Sequence, residues 1–197
     1  VSGDSTVAFA WAYAMALESA AGTTPPRRGL WLRALLLERE RIANHLGDLG
    51  YLGNDGGLAF GLAQFSRLKE DLLRLNARLF GHRFLMDRVV PGGTTVDLDT
   101  AGGDAILEEA ERLEEEVLAL RAIYYDHPGL QDRCINCGRL GARLAAELGV
   151  VGLAARASGI AIDARIFPGF APYDELEPVL CAHRNGDVAS RIVVRFE

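Results

Sequence analysis

Cysteine is scarce: the chain has three in 197 residues, too few for a disulfide scaffold and suited to a reducing compartment. Basic residues are outnumbered by acidic ones, giving a net charge of −6. Nucleic acid asks for a basic face and is disfavoured as a partner. Long apolar runs are lacking as well; the longest, Val7 to Leu17, is too short to span a bilayer. The first residues, Val1 to Ser5, carry none of the positive charge that opens a signal peptide. No P-loop, no G-x-G-x-x-G and no G-x-S-x-G occurs, which leaves no nucleotide cradle and no hydrolase nucleophile elbow. Repeats, linkers and low-complexity segments are missing too. With no initiator methionine and a strand-like VVRFE at the other end, the expectation is an internal piece of a longer chain.

What is present is a large apolar share, 49%, enough for a real core. Trp31, Leu35, Glu38, Ile42, His45, Leu49 and Leu52 step alternately by four and three residues, the spacing of one helical face. Glu38 and His45 interrupt that otherwise apolar face two turns apart, about 10 Å along the axis. An ionisable group there costs free energy unless it is paired or hydrogen-bonded. The helix therefore either carries two satisfied core groups that pin neighbouring loops, which spacing alone favours, or lines a polar cavity.

Ahead of this helix, Ser2, Asp4 and Ser5 offer a start for a segment apolar almost all round, the pattern of an interior helix, and Gly22 ends it. Thr24-Pro25-Pro26 then opens the second helix, and Gly53 to Gly57 reads as a turn. Leu58, Leu62, Phe65, Leu72, Leu75 and Leu79 mark a third helix over about 58–87, which so short a turn should pack antiparallel to the second. Pro91-Gly92-Gly93 breaks it. A fourth helix within 97–125 turns Ile106, Leu113, Val117, Leu120 and Tyr124 inward and sets the glutamates of 108–116 on solvated faces. Gly138 to Leu148 is a short helix. Val150–Ala155 reads as a short strand or buried run. Val179–His183 and Val188–Phe196 read as strands around Asn185-Gly186, a favoured hairpin turn. The sum is a mainly α single domain over 1–197, with a long-helix core over about 4–148 and a small β-containing part over about 149–197.

Cys134-Ile135-Asn136-Cys137 lacks the second pair that a structural zinc site commonly has, although Cys181 and His183 would complete one on paper. A redox pair at the start of the following helix is the other functional reading; two ordinary loop thiols rank above both. His82 and His127 fall near helix ends and read as solvated.

Four segments, VSGDSTVAFAWAYAMALE, LLLERERIANH, GHRFLMDRVVPGG and ARASGIAIDARIFPGFAPY, follow one another in an order and spacing that carry a family likeness. Together they resemble the large subunit of membrane-associated, energy-converting NiFe-hydrogenases of the formate-hydrogenlyase type. The chain is also similar to the relative of that subunit in NADH:quinone oxidoreductase, the hydrogenase-like 49 kDa subunit. The resemblance covers essentially the whole chain and implies the long-helix bundle of the hydrogenase large subunit. In the hydrogenases the first motif reads R-x-C-G-x-C, and its cysteines hold nickel and iron. Ser2 and Ser5 stand at those positions here, and a hydroxyl is a poor substitute for a soft thiolate on these metals. That is the pattern of a quinone-reductase-like member, in which the emptied metal site forms part of the quinone cavity. Leu85 departs from it, standing where relatives on the quinone side tend to have histidine.

Position by position, Glu38, Glu40, Arg41 and His45 match the family's E-x-E-R-x-x-x-H. Arg83 with Pro91, Gly92 and Gly93 matches the loop that faces the iron–sulfur subunit. Arg156, Gly159, Asp163, Arg165 and Tyr173 match a block whose polar groups anchor the cavity. Cys134 and Cys137 match no family ligand. The resemblance implies a subunit of a membrane-associated, multi-subunit oxidoreductase, peripheral on the cytoplasmic face beside a membrane arm. It would shape a quinone-like acceptor cavity and dock an iron–sulfur subunit that delivers electrons drawn, in the NADH-dependent relatives, from NAD chemistry. The piece alone is expected to bind no cofactor and to be inactive. A genuine NiFe-hydrogenase subunit with unusual ligation and a non-catalytic assembly scaffold are the alternatives.

Overall fold

A computed structural model of the chain describes residues 3–197; Ser2 lies outside the described residues. The fold is mainly α, as the periodicity predicts. In order come α1 (Thr6–Ala21), α2 (Arg27–Asp55), α3 (Ala59–Phe80), the strands β1 (Val89–Val90) and β2 (Gly93–Thr94), α4 (Thr100–Asp126), α5 (Pro128–Cys134), α6 (Ala142–Glu147), α7 (Gly152–Ala157) and α8 (Val188–Phe196). Gly22, in the left-handed region, closes α1. The turn expected at Gly53 begins later, because α2 runs on to Asp55. Among the described residues no helix is long and apolar enough to cross a membrane.

The expected β-containing part is corrected. Among the described residues the only sheet is the antiparallel pair β1–β2, and none lies within 149–197. Val150–Ala155 leads into α7, Val179–His183 has no regular structure, and Val188–Phe196 is α8. Asp187 explains the last of these: its carboxylate accepts from the Ser190 amide at 2.8 Å and the Ser190 hydroxyl at 2.7 Å. A capped first turn outweighs the β preference of Val and Ile. Asn185-Gly186 does turn the chain, but into that cap. Gly186 sits at φ 69°, and a Cβ there would meet the Leu140 carbonyl oxygen at 1.9 Å.

The chain forms two compact units, Val1–Gly47 with Ser66–Glu114, and Asp48–Phe65 with Glu115–Glu197. In the first, α1 buries Val7, Trp11, Ala14 and Glu18, a single helical row. It is not the interior helix its composition suggests: Phe9 and Tyr13 are 62% and 64% exposed. Arg39 on α2 reaches the Leu72 carbonyl of α3 while Gly47 lies against Lys69, so the two helices run antiparallel, as expected. The face that α2 buries is not the expected row. Leu32, Leu36, Arg39, Ala43 and Leu46 are buried, whereas Ile42 is 38% exposed. The true row lies one residue further on, about 100° around the helix. It is stabilised by charges that find distant partners. Arg39 bonds Asn76 at 2.5 Å and pairs with Glu109 at 2.8 Å. Glu109 is thus buried, a correction to the wholly solvated glutamate run.

The second unit is built around Tyr124. Its hydroxyl donates to the Leu49 carbonyl at 2.7 Å, and its ring meets Phe65 and Phe196 edge-on at 5.5 and 5.6 Å. Gly53 and Gly61 make room for it, since a Cβ at either would stand 2.1 or 2.2 Å from the hydroxyl oxygen. The histidines hold turns. His127 Nδ1 accepts from Leu130 N as the cap of α5, and in the first unit His82 Nδ1 accepts from Phe84 N and Met86 N.

Gly61→Ala, normally helix-favouring, should destabilise the chain by about 1–3 kcal/mol through overpacking. The loss should be smaller in a Tyr124→Phe background, where the clashing oxygen is gone. Denaturant unfolding of the double-mutant cycle checks this, and additive losses would contradict it.

Candidate functional site

Three clusters of charged and polar groups occupy the positions singled out in the sequence, two in the first unit and one in the second. At the start of α1, Ser5 is the capping residue, yet its side chain makes no cap bond. The free amides of the first turn are held from α2 instead. Glu40 accepts from Val7 N at 2.6 Å and Ala8 N at 3.1 Å. A carboxylate at a helix N-terminus is favourably placed. Burial nonetheless dominates and holds the Glu40 carboxyl above its ordinary range against those amide bonds, with Asp4 pushing the same way. One turn on, the Asn44 amide donates to the Asp4 carbonyl. These groups border a narrow cleft whose wall combines Lys69, Asn76 and Arg83 with Leu73, Phe84 and Leu85, with room for about one water. Arg83 is held by a two-pronged pair with Glu70, at 2.9 and 2.7 Å. Its hydrogen bond, with that of Arg74, brings the exposed Glu70 carboxyl down to about 2.

The four expected anchors of α2 therefore divide. Glu40 reaches the cleft. Glu38 and Arg41 pair with each other, and His45 is half-buried.

The second cluster presents Pro91-Gly92-Gly93. Val90 pairs with Gly93, so Pro91 and Gly92 form the tip of a two-residue hairpin. Gly92 has φ 89° and Gly93 φ 154°, backbone that favours glycine. Two side chains hold the loop from behind. Glu18 accepts from Gly92 N at 2.7 Å and from Arg33 at 2.6 and 3.1 Å. Arg33 also donates to the carbonyls of Gly93 at 3.0 Å and Val90 at 2.7 Å. The Arg33 hydrogen bond holds Glu18 below its ordinary range against the opposing effect of burial, with the Gly92 amide assisting. Sequence reasoning missed both residues. The available signal was one acid, Glu18, in step with Val7, Trp11 and Ala14 on an apolar helix.

In the second unit Arg156, Asp163, Arg165 and Tyr173 do come together. Arg165 grips the Asp163 carboxylate at 3.0 and 2.8 Å, and Arg156 stands 3.5 Å from it. The Arg165 guanidinium lies over the Tyr173 ring, 5.9 Å from its centre. Burial would raise the Asp163 carboxyl, but the side-chain and backbone bonds from Arg165 and the two positive charges prevail and hold it at about 2. Cys134 is buried and Cys137 exposed; among the described residues no third metal-binding side chain is grouped with them.

The family model of the respiratory-chain NADH dehydrogenase 49 Kd subunit matches residues 55–197. Among curated relatives, an NADH-quinone oxidoreductase subunit of Granulibacter bethesdensis is 31% identical over 94% of this chain and 46% of that protein. The carbon monoxide-induced hydrogenase of Rhodospirillum rubrum is 31% identical over 94% and 52%. Formate hydrogenlyase subunit 5 of Escherichia coli is 32% identical over 96% and 33%. Among solved structures, a chain of the membrane-bound sulfane sulfur reductase, an archaeal respiratory membrane complex, superposes with a TM-score of 0.87 at 25% identity, covering 93% of this chain and 50% of that one. The chain spans about half the length, or less, of these relatives.

Glu18→Gln leaves Arg33 buried without its counter-charge and should cost about 3–5 kcal/mol. Hydrogen exchange at Gly92 should quicken with it; an unchanged denaturation midpoint would contradict the role. Asp163 has a folded-state pKa below its unfolded value. Its contribution, about 2 kcal/mol, is therefore present above pH about 4 and lost as the pH falls toward 2. Acid unfolding of Asp163→Asn should lack that component.

Proposed function

Because the chain belongs to the family of the respiratory-chain NADH dehydrogenase 49 Kd subunit, we propose that it is the hydrogenase-like part of the large subunit of a membrane-associated, multi-subunit oxidoreductase. In this reading it walls an acceptor cavity and docks an iron–sulfur subunit, from which electrons arrive. The similar proteins are named for quinone, hydrogen and sulfane sulfur chemistry, so the likeness supports a common framework more than one acceptor. A quinone-like acceptor is the one the donor set favours.

The observation that carries this choice is the start of α1. Ser5, and by sequence Ser2, stand where the hydrogenases hold nickel and iron through cysteine. The unit that contains them, residues 1–47 and 66–114, has no cysteine at all. Hard hydroxyl, carboxylate and amide oxygens do not suit nickel or low-valent iron, which call for thiolates, so a nickel–iron centre does not fit these residues. What the cleft offers is a carboxyl, Glu40, held above the ordinary range by burial and able to carry a proton beside a reducible group. Lys69 adds positive charge at the same cleft, suited to a developing oxyanion, and Arg83, its charge matched by Glu70, forms part of the wall. The Pro91-Gly92-Gly93 hairpin, fixed from behind by Glu18 and Arg33, provides a rigid edge for the partner subunit. In the second unit, Arg156, Asp163, Arg165 and Tyr173 hold their own loop by the same kind of pairing.

The test is anaerobic purification of the full-length gene product from its own host, followed by subunit identification and elemental analysis. An iron–sulfur subunit should copurify, with iron and no nickel. Nickel near one equivalent per large subunit would overturn the assignment in favour of a hydrogenase. Recovery without an iron–sulfur partner would overturn the docking role.

A further inference from the structure

The family likeness leaves one cluster unused. Cys181, His183 and Glu197 match none of the family motifs, and the function just proposed does not need them. Their donor atoms, a sulfur, a ring nitrogen and a carboxylate oxygen, all lie within 4.8 Å of one another. The Cys181 thiol donates to the Glu197 carboxylate, and His183 Nε2 is 3.3 Å from the same oxygen. We propose that Cys181, His183 and Glu197 form a mononuclear zinc site, completed by water.

Geometry and donor chemistry carry the proposal. With zinc–ligand distances of about 2.0–2.3 Å, a tetrahedral site separates its ligand atoms by about 3.3–3.8 Å. The three donors need small adjustments to reach those separations around a common centre. Sulfur, imidazole and carboxylate are the three ligand types that zinc accepts together. One thiolate and one carboxylate balance a divalent ion, leaving a neutral site. His183 and Glu197 are both partly open to solvent, which leaves the fourth position to water. Cys181 and His183 lie in an irregular segment, and both side chains reach the same Glu197 oxygen.

The donors are also fixed from both directions before any ion arrives. The His183 amide donates to the Arg156 carbonyl at 2.8 Å, which ties down the segment bearing the thiol and the imidazole. Glu197 follows Phe196, whose ring packs on Phe65, Tyr124 and Tyr125 at 6.0, 5.6 and 6.0 Å. Arg195, one residue earlier, is gripped by Asp48 at 2.9 and 2.8 Å. Two anchored pieces of chain, sixteen residues apart at their donors, thus face one another, and a bound ion would staple the irregular segment to the end of α8. Preorganised donors lose little freedom on binding, the condition for a useful site. Cys134 and Cys137 do not join it.

The test uses the full-length chain with its copurified partners, stripped of metal by a chelator and titrated with zinc ion alone and with cobalt ion alone. The expected result is one zinc equivalent and, with cobalt, a tetrahedral spectrum that includes a thiolate charge-transfer band. Cys181→Ser should abolish the band and weaken zinc binding by at least about tenfold. His183→Ala should also weaken it at least about tenfold, Glu197→Gln should weaken it, and Cys137→Ser should change nothing. A cobalt spectrum with no thiolate band in the unmutated chain overturns the proposal without reference to any variant. So does unchanged zinc affinity in Cys181→Ser, or loss of binding only in Cys137→Ser. Circular dichroism of the metal-free variants separates lost ligation from lost folding.

Discussion

A guanidinium taken wholly out of water must have its charge balanced and its donors satisfied, and Arg33, completely buried, meets that demand in one way. Glu18 of α1 supplies the counter-charge, while the backbone of the β1–β2 hairpin supplies two carbonyls. The pair fixes three elements at once because neither charge can be left alone without a large desolvation cost. From this follow the register of α1 on α2 and the position of the Gly92 amide. The exposed Pro91-Gly92 tip keeps a single shape for the same reason. The surface proposed to meet a partner is set by a constraint in the interior.

The same economy recurs wherever this chain buries charge. Arg39 reaches Asn76 and Glu109, Glu40 holds the first amides of α1, and Arg165 closes on Asp163. The first two tie residues of different helices and act as fasteners where apolar stripes alone would leave rotation weakly defined, whereas Arg165 and Asp163, two residues apart, hold a single loop. Asp163 and Glu40 mark the two ways this can turn out. Cationic partners hold the first ionised, whereas burial, opposed by the amides, raises the pKa of the second.

Long helices were legible in the sequence because their apolar residues recur with a helical period over many turns. The rotation of α2 was not. It carries two neighbouring apolar rows, and the row that is buried contains Arg39, whose partners Asn76 and Glu109 are far along the chain. A local pattern treats such a residue as a surface charge. Helix α8 was missed for the opposite reason: its Val and Ile residues favour a strand, and the Asp187–Ser190 cap that decides the matter is a short polar signal beside a long apolar one. Among the candidate residues, the Asp163 cluster and the glycine hairpin could be located through the family resemblance. Glu18 and Arg33 could not, since their importance arises only when three separate elements meet.

The cap on α1 has a consequence for the order in which the chain is made. Ser5 does not close the first turn of its own helix; Glu40, on the next helix, does. An unfinished helix end is costly to hold in isolation, and during synthesis residue 40 leaves the ribosome well after residue 8. Helix α1 is therefore completed only when its successor has formed and docked, and α1 and α2 mature as a hairpin rather than one after the other.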